Sequence, residues 1–419
     1  MATDNRRDPK IRGVIRRYYG LWWTYSLAGG FLFGVYPIFL HSRGLNQFEI
    51  NSVLAAYFIV TFLTDVPTGA FADTLGRRRS FVLGAGLRVC AFSIYFFAHR
   101  YPVFLIAETI DAFGTTFCNG AIDAWGVDAL DAAGYEGVKD RLFSRISQLT
   151  SAGFMATSVA GAYIADVNIA YPWLLGAAGY LITGIVAIFL MHGEPHAATK
   201  FNLRAAARDL VERVRDGFAA GFATRAVLLL SVAGAVTVAA WAPYWLEWPL
   251  LFNQRFGVGV WIVGWIYCGL TAARMLGAEV VVRMAADERT RAGRLGSLVI
   301  GSAVMLFAAG LMARWPLISL AMLFGMNLCT GAILPLVQSW FNEQIAAGQR
   351  ATLLSFSTTF QTFGGSVGLL LNGWIADAAG IPIAWQAGAI LSLCAAPVYW
   401  ALKASAAAPA PVATGAAGD

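Results

Sequence analysis

Ionisable side chains stand inside long apolar stretches of this sequence, and their types and spacing frame the chemistry. Glu108 and Asp111 share one stretch, Arg88 and Arg145 lie in two others, and Arg274 and Glu279 share a further one. A charge at the centre of an apolar helix costs about 2.5–3.5 kcal/mol or more unless it is paired or hydrated, so retained ions mark function. A rise of about 1.5 Å per residue from Pro102 puts Asp111 roughly 13 Å into its stretch. Glu108 lies one turn outward on a neighbouring face. A carboxyl at that depth suits reversible protonation, which makes Asp111, with Glu108, the candidate for carrying a proton or cation. The competing reading is a structural carboxylate bonded to Arg88, which lies roughly 12 Å deep by the same rise. Arg274 and Glu279 are five residues apart, about 140° around a helix, and therefore have separate partners. Arg274 is a candidate for an anionic solute group or for a structural pair with another part of the chain.

Aromatic residues supply a second set. Trp22, Trp23, Tyr25 and Tyr36 share one apolar stretch, and Trp241, Tyr244, Trp245, Glu247 and Trp248 share another. Aromatic faces beside carboxylates favour cationic or planar organic solutes. Trp22, Trp23 and Trp248 lie near stretch ends and are assigned to an interfacial belt. Tyr25, Trp241, Tyr244 and Trp245 remain cavity candidates, together with Gln148 and Gln361, whose alternative role is helix–helix hydrogen bonding. Pro37 and Pro243 are expected to interrupt their helices. No hydrolase, metal or phosphate-loop arrangement appears. His41, His99, His192 and His196 lack ligand spacing, so neither enzyme, cofactor nor metal site is expected.

The elements that must position these groups follow from composition. Of 419 residues, 58% are hydrophobic and 13% charged, against about 25% charged in a soluble domain. Apolar runs fall near 18–40, 48–71, 80–98, 102–127, 143–165 and 171–191. A second set falls near 226–252, 258–284, 295–312, 316–340, 353–376 and 382–402. Each suits one membrane helix of about 20 residues, giving an all-α membrane protein of twelve helices. The run behind the basic N-terminus is too long for a cleaved signal and reads as a retained first helix. Two six-helix bundles are expected over 1–191 and 226–402. The stretch 192–225 is expected to be an amphipathic linker on the membrane surface, and 403–419 a disordered tail.

Charge gives the orientation. With twelve spans, 23 of the 30 Lys and Arg fall on the side of both termini. Four, Arg43, Arg100, Arg255 and Arg314, fall opposite, and three lie within spans. The positive-inside rule makes the termini cytoplasmic, and the +6 net charge reads as topology rather than nucleic-acid binding. Arginine richness with Ala and Gly abundance suggests a GC-rich bacterial genome, hence a bacterial cytoplasmic membrane. The halves also echo each other. Cys118-Asn119-Gly120-Ala121-Ile122 reappears as Cys329-Thr330-Gly331-Ala332-Ile333, Ile164-Ala165-Asp166 as Ile375-Ala376-Asp377, and Phe113-Gly114 as Phe324-Gly325. Parallel repeats with a solute site between them are a transporter architecture.

The string Asp65-Val66-Pro67-Thr68-Gly69-Ala70-Phe71-Ala72-Asp73-Thr74-Leu75-Gly76-Arg77-Arg78-Arg79 resembles the signature loop of the major facilitator superfamily. Gly69, Asp73, Gly76, Arg77 and Arg78 match, and Thr74 departs from the usual basic residue. The resemblance implies a cytoplasmic latch in which Gly69 permits close helix approach, Gly76 turns the chain and Asp73 pairs with Arg77. Asp65, Asp123, Asp128 and Arg145 are expected to form a supporting ion-pair network, with substrate binding by Asp123, Asp128 and Arg145 the alternative. Three features depart from the family's drug antiporters: no Gly-Pro pair in the fifth span, acids in the fourth where many members carry arginine, and a degenerate counterpart loop at 283–289. The expected function is secondary transport of a small organic solute by alternating access, with proton-coupled efflux preferred. Uptake of a nutrient or organic anion is the alternative, and a non-transporting membrane receptor the reading from another class. Expected partners are the solute, protons or another coupling ion, and the lipid bilayer.

Overall fold

A chain this apolar must satisfy its backbone internally, and helices do so within one segment. The computed structural model describes residues 8–137, 139–192, 203–283, 288–343 and 350–406. Among the described residues the secondary structure is helical throughout, without strands. The first half holds α1 (Pro9–Gly30), α2 (Tyr36–Ser42), α3 (Gln47–Leu75), α4 (Arg77–Phe97), α5 (Tyr101–Ala132), α6 (Asp140–Val167) and α7 (Tyr171–Leu190). After α8 (Leu203–Ala223), the second half holds α9 (Arg225–Phe256), α10 (Trp261–Arg283), α11 (Glu288–Leu311) and α12 (Pro316–Glu343). It ends with α13 (Arg350–Ala379), α14 (Ile381–Leu393) and α15 (Ala395–Ala406).

Local sequence sets the helix starts. Asn46 and Glu49 form a reciprocal capping box at the start of α3, satisfying two amides that no helical carbonyl can reach. Pro37, Pro102, Pro172 and Pro382 occupy the first turn of α2, α5, α7 and α14, where a missing N–H costs nothing. Gly76 turns the chain between α3 and α4 at φ 100°, a conformation that favours glycine.

Within the first half, α1 packs on α6 and α7, α4 on α5 and α7, and α3 on α5. Within the second, α9 packs on α13 and α14, α12 on α10 and α11, and α11 on α14. The halves meet mainly where α3 crosses α13 and α6 crosses α10.

Seven helices among the described residues have the length and low charge of a membrane span: α3, α4, α7, α9, most of α11 and α12, and α14 running into α15. The other long runs fall short for physical reasons. α1 gives way to a turn before α2, α5 carries five acids, α6 carries Arg145, α10 carries Arg274 and Glu279, and α13 is rich in Ser, Thr and Gln.

Three expectations change. The first run is interrupted next to Pro37, but α9 passes through Pro243 unbroken. A proline at 243 leaves the Ala239 carbonyl without its helical donor. Gly368 of α13 lies so close that an added Cβ would meet that oxygen at 2.3 Å. Packing by α13 covers the gap. The linker helix α8 docks on the protein, with Phe218 and Phe222 of α8 interleaving with Phe356 and Phe360 of α13. Residues 403–406, expected to belong to the tail, are instead the last turn of α15. Residues 193–202 of the linker, 284–287 of the counterpart loop and 407–419 of the tail lie outside the described residues.

Candidate functional site: a central cavity and its two ends

A cavity of about 460 Å³ lies between the halves. α4 and α5 present Arg88, Glu108 and Asp111 to it, and α9, α10 and α12 present Tyr244, Arg274 and Asn327. Arg88 and Asp111 form a two-pronged ion pair, Nε to Oδ1 at 2.8 Å and Nη2 to Oδ2 at 3.1 Å. Arg88 Nη1 also donates to the Tyr25 hydroxyl at 2.8 Å, and the guanidinium lies 4.1 Å from the Tyr180 ring centre. Two fixed carboxylate bonds, a phenol and an aromatic face compensate a cation withdrawn from water. The structural alternative anticipated from depth is therefore present, and the same pair forms part of the cavity wall.

Glu108 accepts a hydrogen bond from the Tyr95 hydroxyl, and Tyr95 lies 3.4 Å from the Tyr36 hydroxyl. The Tyr95 ring stacks on Trp173 at 3.8 Å. Glu108 thus belongs to a phenol chain, whereas Asp111 belongs to the guanidinium. On the other wall, Tyr244 accepts from Asn327 Nδ2 at 2.9 Å. Arg274 is exposed to the cavity and forms no ion pair among the described residues.

Several expected cavity residues stand elsewhere. Tyr244, Trp245 and Arg274 line the cavity, while Tyr25 sits behind it through Arg88. Gln148 is exposed and bonds Arg145, Gln361 bonds Ser357, and the half-buried Trp241 lies outside the lining. Trp248, assigned to an interfacial belt, is instead buried and lines the cavity. Sequence reasoning missed Tyr36, Trp173 and Asn327 as wall residues. Tyr36 and Asn327 carried a usable signal, being polar groups in apolar runs, but Trp173 did not.

One end of the cavity faces the loops that carry few basic residues. There Asp166 at the end of α6 accepts from the Val260 and Trp261 amides at the start of α10. Asp377 at the end of α13 accepts from the Gln47 and Phe48 amides at the start of α3, at 2.8 and 3.0 Å. Each carboxylate fills donors that a helix start leaves open, where the helix dipole also favours negative charge. Asp166 and Asp377 are the paired residues of the sequence repeat, and their contacts are equivalent. Tyr163 stacks on Trp261 across the α6–α10 contact. Asn51 of α3 donates to the Leu369 carbonyl of α13 at 3.0 Å.

The basic end differs. Arg77 pairs with Asp73 and lies 3.6 Å from Asp128, all within the first half. Among the described residues, nothing lies within 4 Å of a Cβ added at Gly69, so no close helix approach is seen there in this conformation. The expected network is also divided. Asp65 joins no ion pair among the described residues, Arg145 bonds Gln148 at 3.1 Å, and Asp123 accepts from Tyr18 and Trp22 of α1. Asp123 therefore ties α1 to α5 and does not brace the signature loop.

A bundle that is helical throughout its described residues, with apolar spans, a central cavity lined by both halves and repeat-related contacts at one end, has the architecture of a membrane transporter. The sequence model described as Major Facilitator Superfamily matches residues 21–327, and the chain belongs to that family. It is 24% identical over 365 residues to an uncharacterised MFS-type transporter, YxaM, of Bacillus subtilis strain 168, covering 84% of this chain and 85% of that protein. It is 22% identical over 175 residues to the quinolone resistance protein NorA of Staphylococcus aureus, covering 41% of this chain and 44% of NorA. Among solved structures it resembles the nucleoside transporter NupG, with TM-score 0.75 and 14% identity over 93% of this chain and 98% of that one. It also resembles a bacterial homologue of the human lysosomal transporter Spinster in an inward-facing, unoccupied conformation. That likeness has TM-score 0.73 and 12% identity over 95% of this chain and 98% of the other.

Proposed function

We propose that the chain is a twelve-span secondary transporter that exports a small organic solute in exchange for protons. In this reading two six-helix units, 1–191 and 226–402, rock about the cavity, and the basic face is cytoplasmic in a bacterial inner membrane. The bonds of Asp166 and Asp377 close the outer face, and the inner face is the open one. The observation that carries coupling is the Arg88–Asp111 pair on the cavity wall. Protonating Asp111 removes one charge of a pair that cation binding or solute binding can also disturb, so proton and solute compete for one wall. Glu108 and its phenols extend that site. Asp73 and Arg77, with Gly76 as the turn, close the inner face when the halves rock the other way. Asp65, Asp128, Arg145 and Gly69 move with that gate. Aromatic walls and the similarity to a quinolone resistance protein support planar or cationic organic solutes and outward transport.

Arg274 favours a second reading. An exposed guanidinium on the cavity wall with no ion-pair partner among the described residues suits an organic anion, which would be taken up. Purified protein in proteoliposomes separates the readings. With an imposed proton gradient, flux of planar organic cations should appear and should vanish in Asp111→Asn. Undiminished flux in that variant removes Asp111 from coupling. Anion flux that is lost in Arg274→Gln selects the second reading, and no flux across either solute class leaves the receptor reading.

A further inference from the structure

Glu247 of α9 is fully buried, and both of its carboxyl oxygens lack a hydrogen-bond partner. It is excluded from the cavity although Tyr244, Trp245, Leu246 and Trp248 on the same helix line it. Its surroundings are the outer contact between the halves. Asn51 of α3, Trp385 of α14 and, further off, Asp377 of α13 face it. Asn51 donates to Leu369 and accepts from Gln47, which leaves one proton of its side-chain amide uncommitted near Glu247. Asp377 has the same sign and is occupied by the start of α3. From α10, Arg274 faces Tyr244 and Tyr267 instead. Just past α2, Arg43 is engaged by His99 and the Phe96 carbonyl, and on α2 His41 by the Leu45 carbonyl. The Trp385 indole nitrogen is itself buried and unpartnered.

A carboxylate with no cation beside it and no formed hydrogen bond is too costly in such a place, and the group escapes the cost by holding its proton. Glu247 lies nine residues before the end of α9, roughly 13 Å inside the outer face by helical rise. The α3–α13 contact above it is the cover, so parting that contact admits water. We propose that Glu247 is a second proton-binding site, separate from the Arg88–Asp111 pair, that is occupied while the outer face is closed. When α3 parts from α13, the carboxylic acid transfers its proton to entering water and becomes a hydrated carboxylate. Reclosure requires the proton to return. Opening of the outer face is thereby tied to proton release at a residue the solute does not touch.

The assignment of the motion rests on the alternating-access reading, but the proton site is tested without transport. Infrared spectra of the purified full chain in lipid are compared for the wild type, Glu247→Gln and Asp111→Asn. The wild type should show a buried carboxylic-acid carbonyl band that Glu247→Gln lacks, Glu247→Asp shifts and Asp111→Asn keeps. Hydrogen–deuterium exchange, corrected for intrinsic rates, then follows the Gln47 and Phe48 amides. Their protection should fall in alkaline solution in the wild type and persist in Glu247→Gln, which mimics the neutral acid. Identical acid bands in the wild type and Glu247→Gln overturn the proposal, as does alkaline exchange that Glu247→Gln leaves unchanged. If the band and the protection behave as expected while no solute moves, the proton site stands and the export reading falls.

Discussion

Arg88 is the residue on which the cavity wall depends. Its guanidinium is held by Asp111, Tyr25 and the Tyr180 ring, so removal of one partner leaves a buried cation undercompensated. Asp111→Ala should lower stability by about 3–5 kcal/mol, read as earlier thermal unfolding of the solubilised protein. Asp111→Asn removes the same charge but keeps an acceptor and a similar volume, and should lose less than Asp111→Ala. Equal losses in the two variants would mean the carboxylate charge, rather than the acceptor, dominates. Depth along the helix was enough to bring Arg88 and Asp111 together from sequence, because both lie about equally far into neighbouring antiparallel spans. Tyr25 and Tyr180 were not legible in this role, since nothing in sequence tells which face of a helix meets a cation from another.

At the scale of elements, two kinds of contact hold the bundle. The carboxylates of Asp166 and Asp377 cap helices of the opposite half, and loss of such a cap costs about 0.5–2 kcal/mol. Asp377→Ala should therefore raise exchange at the Gln47 and Phe48 amides, and Asp166→Ala at Val260 and Trp261. Unchanged protection at those amides would show that the apolar contacts alone close this face. Second, α10 and α12 interlock through small residues. A Cβ at Gly277 would lie 2.0 Å from the Leu328 carbonyl, and one at Gly331 would lie 1.9 Å from the Arg274 carbonyl. Such contacts let membrane helices approach backbone to backbone. Gly331→Ala should force α10 and α12 apart, costing about 1–3 kcal/mol from overpacking and disturbing Arg274 on the cavity wall. Wild-type thermal stability in that variant would mean the helices can shift without loss. The repeat in sequence announced Asp166 with Asp377 as equivalents, but their caps became visible only when each helix end met the start of its partner.

For the whole molecule, the distribution of charge makes a prediction about sidedness. A maleimide that cannot cross the membrane should label a cysteine placed at Val258 in intact cells, and one placed at Arg78 only after permeabilisation. The reverse pattern would invert the proposed topology. Helical content, the apolar runs, the duplicated motifs and the basic asymmetry were all decided by the sequence, because each depends on local composition or on the order of segments along the chain. Neighbour relations across that order belong to the tertiary structure. It moved Trp248 from a belt to the cavity, docked α8 on α13, divided the expected acidic network, and buried Glu247 beneath the outer contact. The physical reason is common to all four. Hydropathy fixes that a residue leaves water, whereas only packing between distant helices fixes which polar groups it meets there.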